Sequence, residues 1–269
     1  MTEIAPAADR TWAGIASISQ SVWCLKEPFN TKALFGRVVA RVFELLTAQL
    51  GRVSFVQVGA NDGLGADHLH PFVASGRWHG LLVEPAPGPF QRLLKTYEGV
   101  DGLTFLPVAI SATEGRQPFY YVEGADGLSS FARDTILSHS PKYADLEGMI
   151  RCIEVETTAL DKLCDRCGLS RPAVVAVDAE GMDDIVLHSF SIEERCPRLI
   201  LFEHCHLSAE RSSRLRDRLL AADYRIVHDR HDVLAISRGT FDQATLDFLA
   251  DIVATARSGV VQVGGLAAE

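Results

Sequence analysis

Val-Ser-Phe-Val-Gln-Val-Gly-Ala-Asn-Asp-Gly, residues 53–63, is the stretch on which the fold turns. Val53 to Val58 form a short apolar run that stops at a glycine, the pattern of a buried strand. Gly59 lets the backbone turn and approach a ligand closely, and Gly63 repeats this where a helix is predicted to begin and run to about Ser75. Strand, glycine turn and helix make the opening unit of a doubly wound α/β sheet. In such a sheet ligands bind beyond the carboxyl ends of the strands, where the strand order reverses.

The same alternation continues downstream. Leu81 to Glu84 and Leu103 to Pro107 are predicted as the next strands, with Phe90 to Tyr97 on the helix between them. Gln117 to Val122 is expected to lie opposite Val108 to Ser111, across a turn at Thr113-Glu114-Gly115. Ile153 to Thr157, Ala173 to Asp178 and Leu199 to Glu203 read as further strands, and Leu160 to Cys167 as a helix. Ser208 is the expected N-cap of a helix reaching about Ala222. Tyr224 to His228 and Val233 to Ser237 are strands joined by only Asp229 to Asp232, so they must pair antiparallel. Near-continuous apolar strands alternating with helices require a mostly parallel sheet covered on both faces. The organisation predicted is an N-terminal helical cap over 1–50, a ligand-binding α/β domain over 51–240, and a C-terminal helix and tail over 241–269. Val38, Val39, Val42, Phe43, Leu45 and Leu46 form the apolar stripe of the cap, and Gln243 to Ala256 the final helix. An insertion at about 112–151 is expected to combine with the N-terminal segment as a lid and acceptor pocket.

The totals exclude whole classes of partner. The chain has 269 residues, 47% of them hydrophobic, enough for one large domain with a real core. Its net charge of -9, without any basic run, gives no pull toward phosphate backbones or anionic membranes. Neither a nucleic-acid nor a membrane partner is therefore expected. Met1-Thr2-Glu3 lacks the cationic start of a secretory signal, and Trp12 to Leu25 carries too many polar residues to span a bilayer. Six scattered cysteines then read as reduced thiols in a cytoplasmic protein.

Two phosphate-binding motifs fail. A dinucleotide fingerprint would need glycine two positions after Gly59, where Asn61 stands; starting from Gly63, His68 occupies the last glycine position. No phosphate loop of the G-x-x-x-x-G-K-[ST] kind occurs either. A sulfonium cofactor has no pyrophosphate to cradle, so it tolerates an acid such as Asp62 beside the turn. Glu84, ending the second strand, is placed to accept hydrogen bonds from both hydroxyls of a ribose; the alternative is an acid serving a helix N-terminus near Pro85 and Pro89.

The ordered set V-G-A-N-D-G (58–63), L-V-E-P (82–85), P-V-A-I-S (107–111), L-S-S-F (128–131), T-A-L-D (158–161), V-D-A-E-G (177–181) and L-F-E-H (201–204) resembles the FkbM family of O-methyltransferases, over about residues 53–236. The resemblance implies the class I methyltransferase fold, a Rossmann-like sheet with a terminal antiparallel hairpin. It also implies S-adenosylmethionine (SAM) as methyl donor and a small-molecule hydroxyl as acceptor, often on a polyketide, macrolide or sugar of natural-product biosynthesis. Cofactor contacts are then expected from Gly59, Ala60, Asn61, Asp62, Gly63, Glu84, Pro85 and Asp178, with Ala109, Ile110 and Ser111 near the adenine. The family's D-V-E-G appears here as Asp178-Ala179-Glu180-Gly181, which keeps both acids. A homodimer is a further expectation at the level of the family.

An aliphatic hydroxyl is barely acidic, so a base or a metal should assist the transfer. Asp178 and Glu203 end strands expected to be neighbours, roughly 4.8 Å apart, so their carboxylates can converge. His204 and His206 follow, and in an extended segment they would share a face. Two mechanisms stay open. Either Asp178, Glu203 and His204 hold a divalent cation such as Mg2+, or His204 or His206 is the base, oriented by Asp178 or Glu180. Against both stands the plain alternative that the acids cap helices and the histidines pack. Cys164 and Cys167 lack a second pair for zinc, and Asp183 and Asp184 are explained by the dipole of the helix they open. The rival readings of the whole chain are a non-catalytic nucleoside-binding module on the same fold and an oxidoreductase; the failed dinucleotide fingerprint opposes the second.

Overall fold

The computed structural model describes residues 31–246 and 249, apart from 66, 123, 126–127, 132 and 138–144. Residues 1–30 of the expected cap, and the expected C-terminal helix and tail past 246 except 249, lie outside the described residues. In chain order the elements are α1 (Thr31–Leu50), β1 (Val53–Val58), α2 (His70–Ala74), β2 (Trp78–Val83), α3 (Pro87–Thr96) and β3 (Leu103–Leu106). There follow β4 (Ala109–Ile110), β5 (Gly115–Val122), β6 (Ser129–Ser130), α4 (Arg133–Leu137), α5 (Leu146–Met149), β7 (Ile150–Thr158) and α6 (Leu160–Arg166). The chain closes with β8 (Val174–Val177), α7 (Asp183–His188), α8 (Ile192–Arg195), β9 (Leu199–Glu203), α9 (Ala209–Ala221), β10 (Tyr224–His228) and β11 (Asp232–Ser237).

The main sheet has seven strands in the order β10-β11-β9-β8-β1-β2-β3. Pairings among β3, β2, β1, β8 and β9 are parallel, while β11 runs antiparallel to both β9 and β10. This is the sheet of the class I methyltransferase fold, with the terminal hairpin in the position expected. Alternate residues of each strand feed opposite faces. Phe55, Leu82, Val174 and Ala176 pack under α1 and α2, whereas Val56, Val83, Val175 and Phe202 meet α6, α7 and α9. Both faces are therefore dry, which is why the strands read as unbroken apolar runs.

The stripe on α1 does what its spacing predicts. Val39, Val42, Phe43 and Leu46 are fully buried, each contributing about 1.5–3 kcal/mol relative to exposure. Phe43 lies 5.0 Å from the Trp78 ring, and the Trp78 indole donates to Thr47 Oγ1 at 2.9 Å. Among the described residues no helix is long and apolar enough to cross a membrane.

Two local expectations fail. The helix after the glycine turn shrinks to α2, because the aspartates before it compete for the backbone. Asp62 Oδ1 accepts from the amides of Leu64 and Gly65, and Asp67 Oδ1 from that of Leu69, so the chain turns rather than coils. Nor do β4 and β5 form a hairpin. They belong to a second sheet, β4-β7-β5-β6, in which β7 lies between them. β7 starts at Ile150, earlier than predicted, and pairs with β5 along the whole of that strand. In this arrangement Val155 and Ile153 of β7 pack with Ala109 and Phe119 in one small core. A local hairpin would separate them.

Candidate functional site

The switch point of the main sheet falls between β1 and β8, since the chain runs outward from β1 to β3 in one direction and from β8 to β9 in the other. A cavity of about 260 Å³ opens there. Gly59 sits at its floor with φ +76°, and a β-carbon on it would come within 1.8 Å of the Asp178 carbonyl oxygen. The turn is held from both sides. The amides of Gly59 and Ala60 both donate to the Val83 carbonyl, and the Asp178 amide donates to that of Val58.

Glu84 follows β2 directly and is buried. Its Oε2 accepts the Asn61 amide at 2.9 Å and its Oε1 the Ala86 amide at 2.8 Å. These two backbone bonds orient the carboxylate. With the side chain lining the cavity, the pair suits two adjacent hydroxyls, as on a ribose. A turn without side-chain bulk beside a clamped acid fits a nucleoside cofactor, and Asn61 at φ +48° gives its amide the direction needed.

Of the other cofactor candidates, Ala60, Asn61, Pro85, Ala109, Ile110 and Asp178 line this cavity. Asp62, Gly63 and Ser111 do not. Gly63, at φ +72°, makes room for the Tyr97 ring, 2.6 Å from where its β-carbon would stand. Burial opposes ionisation of Asp62, but the Leu64 and Gly65 amides and Arg92 outweigh it and hold its pKa low, so it serves the turn. Ser111 accepts from the Thr113 amide and Gln117 and is tied into the second sheet. Phe119, Ser129 and Phe131, which lie within the predicted insertion, reach the cavity wall.

At the carboxyl ends of β8 and β9 four acids gather. Val177 pairs with Phe202, so Asp178 and Glu203 leave adjacent strands side by side. Glu180, at φ +48°, and Glu203 line the cavity with Asp178. Asp183 is fully buried beneath them, its Oδ1 accepting the Glu203 amide at 3.2 Å. Burial first, then Asp178, Glu203 and Asp183, push the Glu180 carboxyl up to about 9; burial, then Asp178 and Glu203, raise Asp183 well above its usual range. His206 Nε2 lies 3.6 Å from Glu180 Oε2 and 3.5 Å from Glu203 Oε2.

The raised Glu180 has a consequence for stability. Its folded value exceeds the ordinary 4.5, so its contribution is complete below about pH 4.5 and is lost as the pH rises through about 9. Stability of the ligand-free protein should fall over that window, and Glu180→Gln should flatten the fall by on the order of 2 kcal/mol. Thermal melts at about pH 5 and about pH 9 measure this; parallel slopes for both proteins would show a solvated carboxylate.

His204 is not part of this group. Strand β9 ends at Glu203 and the chain turns, with the Leu207 amide donating to the His204 carbonyl, so the extended alternation stops there. His204 is buried away from the cavity, its Nε2 3.0 Å from the Asp229 carbonyl and its ring 5.7 Å from that of His228. Burial lowers its pKa. The set Asp178, Glu203 and His204 therefore does not assemble. Among the described residues, the groups whose ligand atoms all fall within 4.8 Å of one another are Glu180, Glu203 and His206, and, sharing one acid, Glu203, Cys205 and His231. Of the discounted residues, Cys164 packs in the core. Asp184 pairs with Arg211, which also donates to the Gly181 carbonyl and anchors the loop bearing Glu180.

Sequence reasoning passed over Gln57, Asp67 and Asp183. A signal existed for the first, since a glutamine inside Val-Ser-Phe-Val-Gln-Val on a central strand needs a buried polar partner. For the others there was none, because an aspartate in a loop or at a helix start has an ordinary local explanation.

The model of the methyltransferase FkbM domain matches residues 57–226. Among solved structures, the chain is similar to a methyltransferase FkbM from Methylobacillus flagellatus KT, at 16% identity and a TM-score of 0.46 over 85% of this chain and 60% of that one. It is also similar to a SAM-dependent methyltransferase from Geobacter sulfurreducens in complex with S-adenosyl-L-homocysteine, at 11% identity and a TM-score of 0.36, covering 80% and 72% of the two chains. The chain thus spans less than two thirds of the first of these relatives. No functionally curated protein is significantly similar in sequence. With the family model covering most of the chain and the strand order and hairpin in agreement, the chain belongs to the FkbM methyltransferase domain family, a SAM-dependent methyltransferase family of the class I fold.

Proposed function

We propose that this chain is an O-methyltransferase that moves a methyl group from SAM to a hydroxyl of a small molecule, of the polyketide, macrolide or sugar kind. The supporting observation is that Glu84, Glu180 and Glu203 line one cavity. A module that only bound a nucleoside would need Glu84, and would have no use for a cluster of further acids facing the same space. When bound, the cofactor supplies an electrophilic methyl on a sulfonium and departs as S-adenosylhomocysteine. Glu84 holds the ribose, and the Gly59 turn brings backbone close to the ligand. Glu180 and Glu203 hold the acceptor hydroxyl, and His206, beside both, receives its proton. Phe119 and Phe131 exclude water, and positioning supplies much of the rate.

Calorimetric titration with S-adenosylhomocysteine, with NAD as comparator, tests the cofactor. Saturable binding of the first and none of the second is expected; a folded protein that binds neither ends the reading. A panel of hydroxyl acceptors then tests transfer. In that assay His206→Asn is expected to lower kcat about 100-fold, the range of a lost general base. His204→Asn should keep kcat within a few-fold while lowering the melting temperature. A wild-type kcat in His206→Asn would remove His206 from the mechanism.

The convergence of Glu180, Glu203 and His206 also favours a second reading, in which these residues hold a divalent cation that acidifies the hydroxyl. Chelator separates the two. Loss of activity restored by Mg2+ selects the cation, and indifference selects the base.

A further inference from the structure

On the solvent side of the acid cluster two turns bring a second set of ligand atoms to Glu203. Strand β9 ends at Glu203, and the turn after it carries Cys205. The connection between β10 and β11 carries His231. Asp232 pairs with Glu203 across β11 and β9, and the His204 amide donates to the His231 carbonyl at 2.7 Å, so the two turns are tied through their backbones. The second turn is also braced from within. Asp229, buried in the hairpin, accepts the amides of His231 and Asp232 on Oδ1, each at 2.7 Å. A carboxylate oxygen of Glu203, Sγ of Cys205 and a ring nitrogen of His231 then all lie within 4.8 Å of one another.

The donor types select the ligand. Carboxylate, thiolate and imidazole together are the donors of zinc-class ions. Magnesium takes oxygen and keeps several waters, so a set containing sulfur and nitrogen disfavours it. The Cys205 thiol donates to the Glu203 carboxylate, so one proton lies between two groups that are both ligands once it leaves. A dication takes the place of that proton, which passes to solvent. Tetrahedral zinc holds its ligand atoms about 3.4–3.6 Å apart. Cys205 and His231 are exposed, so rotation of their side chains closes the difference, and the ion has an open path from solvent.

We propose that Glu203, Cys205 and His231 bind a zinc-class transition-metal ion, with water in the fourth position, and that the bound ion inhibits methyl transfer by withdrawing Glu203 from the acceptor. The inhibition rests on the methyltransferase reading; the binding does not. Glu203 is the residue common to both sets, since its Oε2 also lies 3.5 Å from His206 Nε2. A carboxylate turned onto an ion beside Cys205 no longer holds a hydroxyl beside His206. The set of Glu180, Glu203 and His206 contains no sulfur, so the cysteine tells the two apart.

Cobalt(II) reports the ligands directly, because a thiolate on cobalt gives a sulfur-to-metal charge-transfer absorption that oxygen and nitrogen ligands lack. The full chain, stripped of metal by chelator and kept reduced, is expected to develop that absorption at one Co2+ per chain and to lose it as Zn2+ displaces the cobalt. Cys205→Ser should abolish the absorption and weaken Zn2+ by more than about 100-fold, since losses outside the ligand shell already cost about 10–100-fold. The side chain is exposed and the change is nearly isosteric, so the fold should persist. Cys167→Ser, also exposed and outside the set, should keep both properties. Absorption retained in Cys205→Ser, or a zinc affinity equal to that of the unaltered protein, overturns the proposal. In the transfer assay Zn2+ should inhibit the unaltered protein as it fills the site, and Cys205→Ser should keep full activity and resist zinc. Equal inhibition of both places the inhibitory ion at Glu180, Glu203 and His206 and overturns the proposed inhibition. A protein that transfers no methyl group yet gives the Cys205-dependent absorption loses the methyltransferase reading and keeps the metal site.

Discussion

Replacing Glu84 by alanine is expected to weaken S-adenosylhomocysteine binding by at least about 100-fold. Two hydrogen bonds from ribose hydroxyls to a carboxylate disappear together, and each charge-assisted bond is worth about 1.5–3 kcal/mol. Part of the loss is indirect. Without the carboxylate, the amides of Asn61 and Ala86 lose the acceptors they have now, at 2.9 Å and 2.8 Å, and the glycine turn loses its tie to β2. Glu84→Gln separates the two contributions. It keeps the shape and one carbonyl acceptor, so it should bind between wild type and Glu84→Ala and melt near wild type. Calorimetry with both variants measures this, and unchanged affinity in Glu84→Ala would place the ribose elsewhere.

The second large effect is on folding. Gly59→Ala is expected to destabilise the protein by about 3–5 kcal/mol, combining the left-handed backbone penalty with overpacking. The added carbon would stand 1.8 Å from the Asp178 carbonyl oxygen and 2.8 Å from its carbon, and neither partner is a side chain that could swing away. Retreat means breaking the Asp178–Val58 bond on one side or the Gly59 and Ala60 bonds to Val83 on the other. Those bonds join the three central strands where the cavity opens. A loss of that size is a large share of a typical 5–15 kcal/mol stability and should lower the melting temperature by on the order of 10 °C. A melt within about 3 °C of wild type would mean that the two strands part more easily than their hydrogen bonds imply.

The main sheet was legible because its strands are buried on both faces. β1, β8 and β9 are apolar over nearly their whole length, and the residues that end them are polar or glycine, so the ends of the strands and the candidate site were marked together. The hairpin of β10 and β11 followed from connection length alone. The second sheet was not legible in the same way. β4 and β5 are close in sequence, and nothing local says that β7, some forty residues later in the register of Gly115 with Thr157, will pair with both. Loop length favours the near partner; the shared core of Ala109, Phe119 and Val155 favours the far one, and burial decides it.

Glu84, Asp178, Glu180 and Glu203 were readable as site residues because each stands at or just past the end of a strand, where backbone geometry alone directs it to the switch point. His204 and His206 were not separable, because the periodicity of an extended chain holds only while the strand lasts, and it ends at Glu203. By itself, then, the amino-acid sequence determined the fold, the family resemblance, and the acids that border the cavity, since apolar periodicity and strand termini are local properties of the chain. Only the tertiary structure decided that His206 rather than His204 joins those acids, that Asp183 lies beneath them, and that His231 comes to Glu203 and Cys205. Each of these depends on where a turn carries a side chain relative to a distant segment, and on burial that no short stretch of sequence contains.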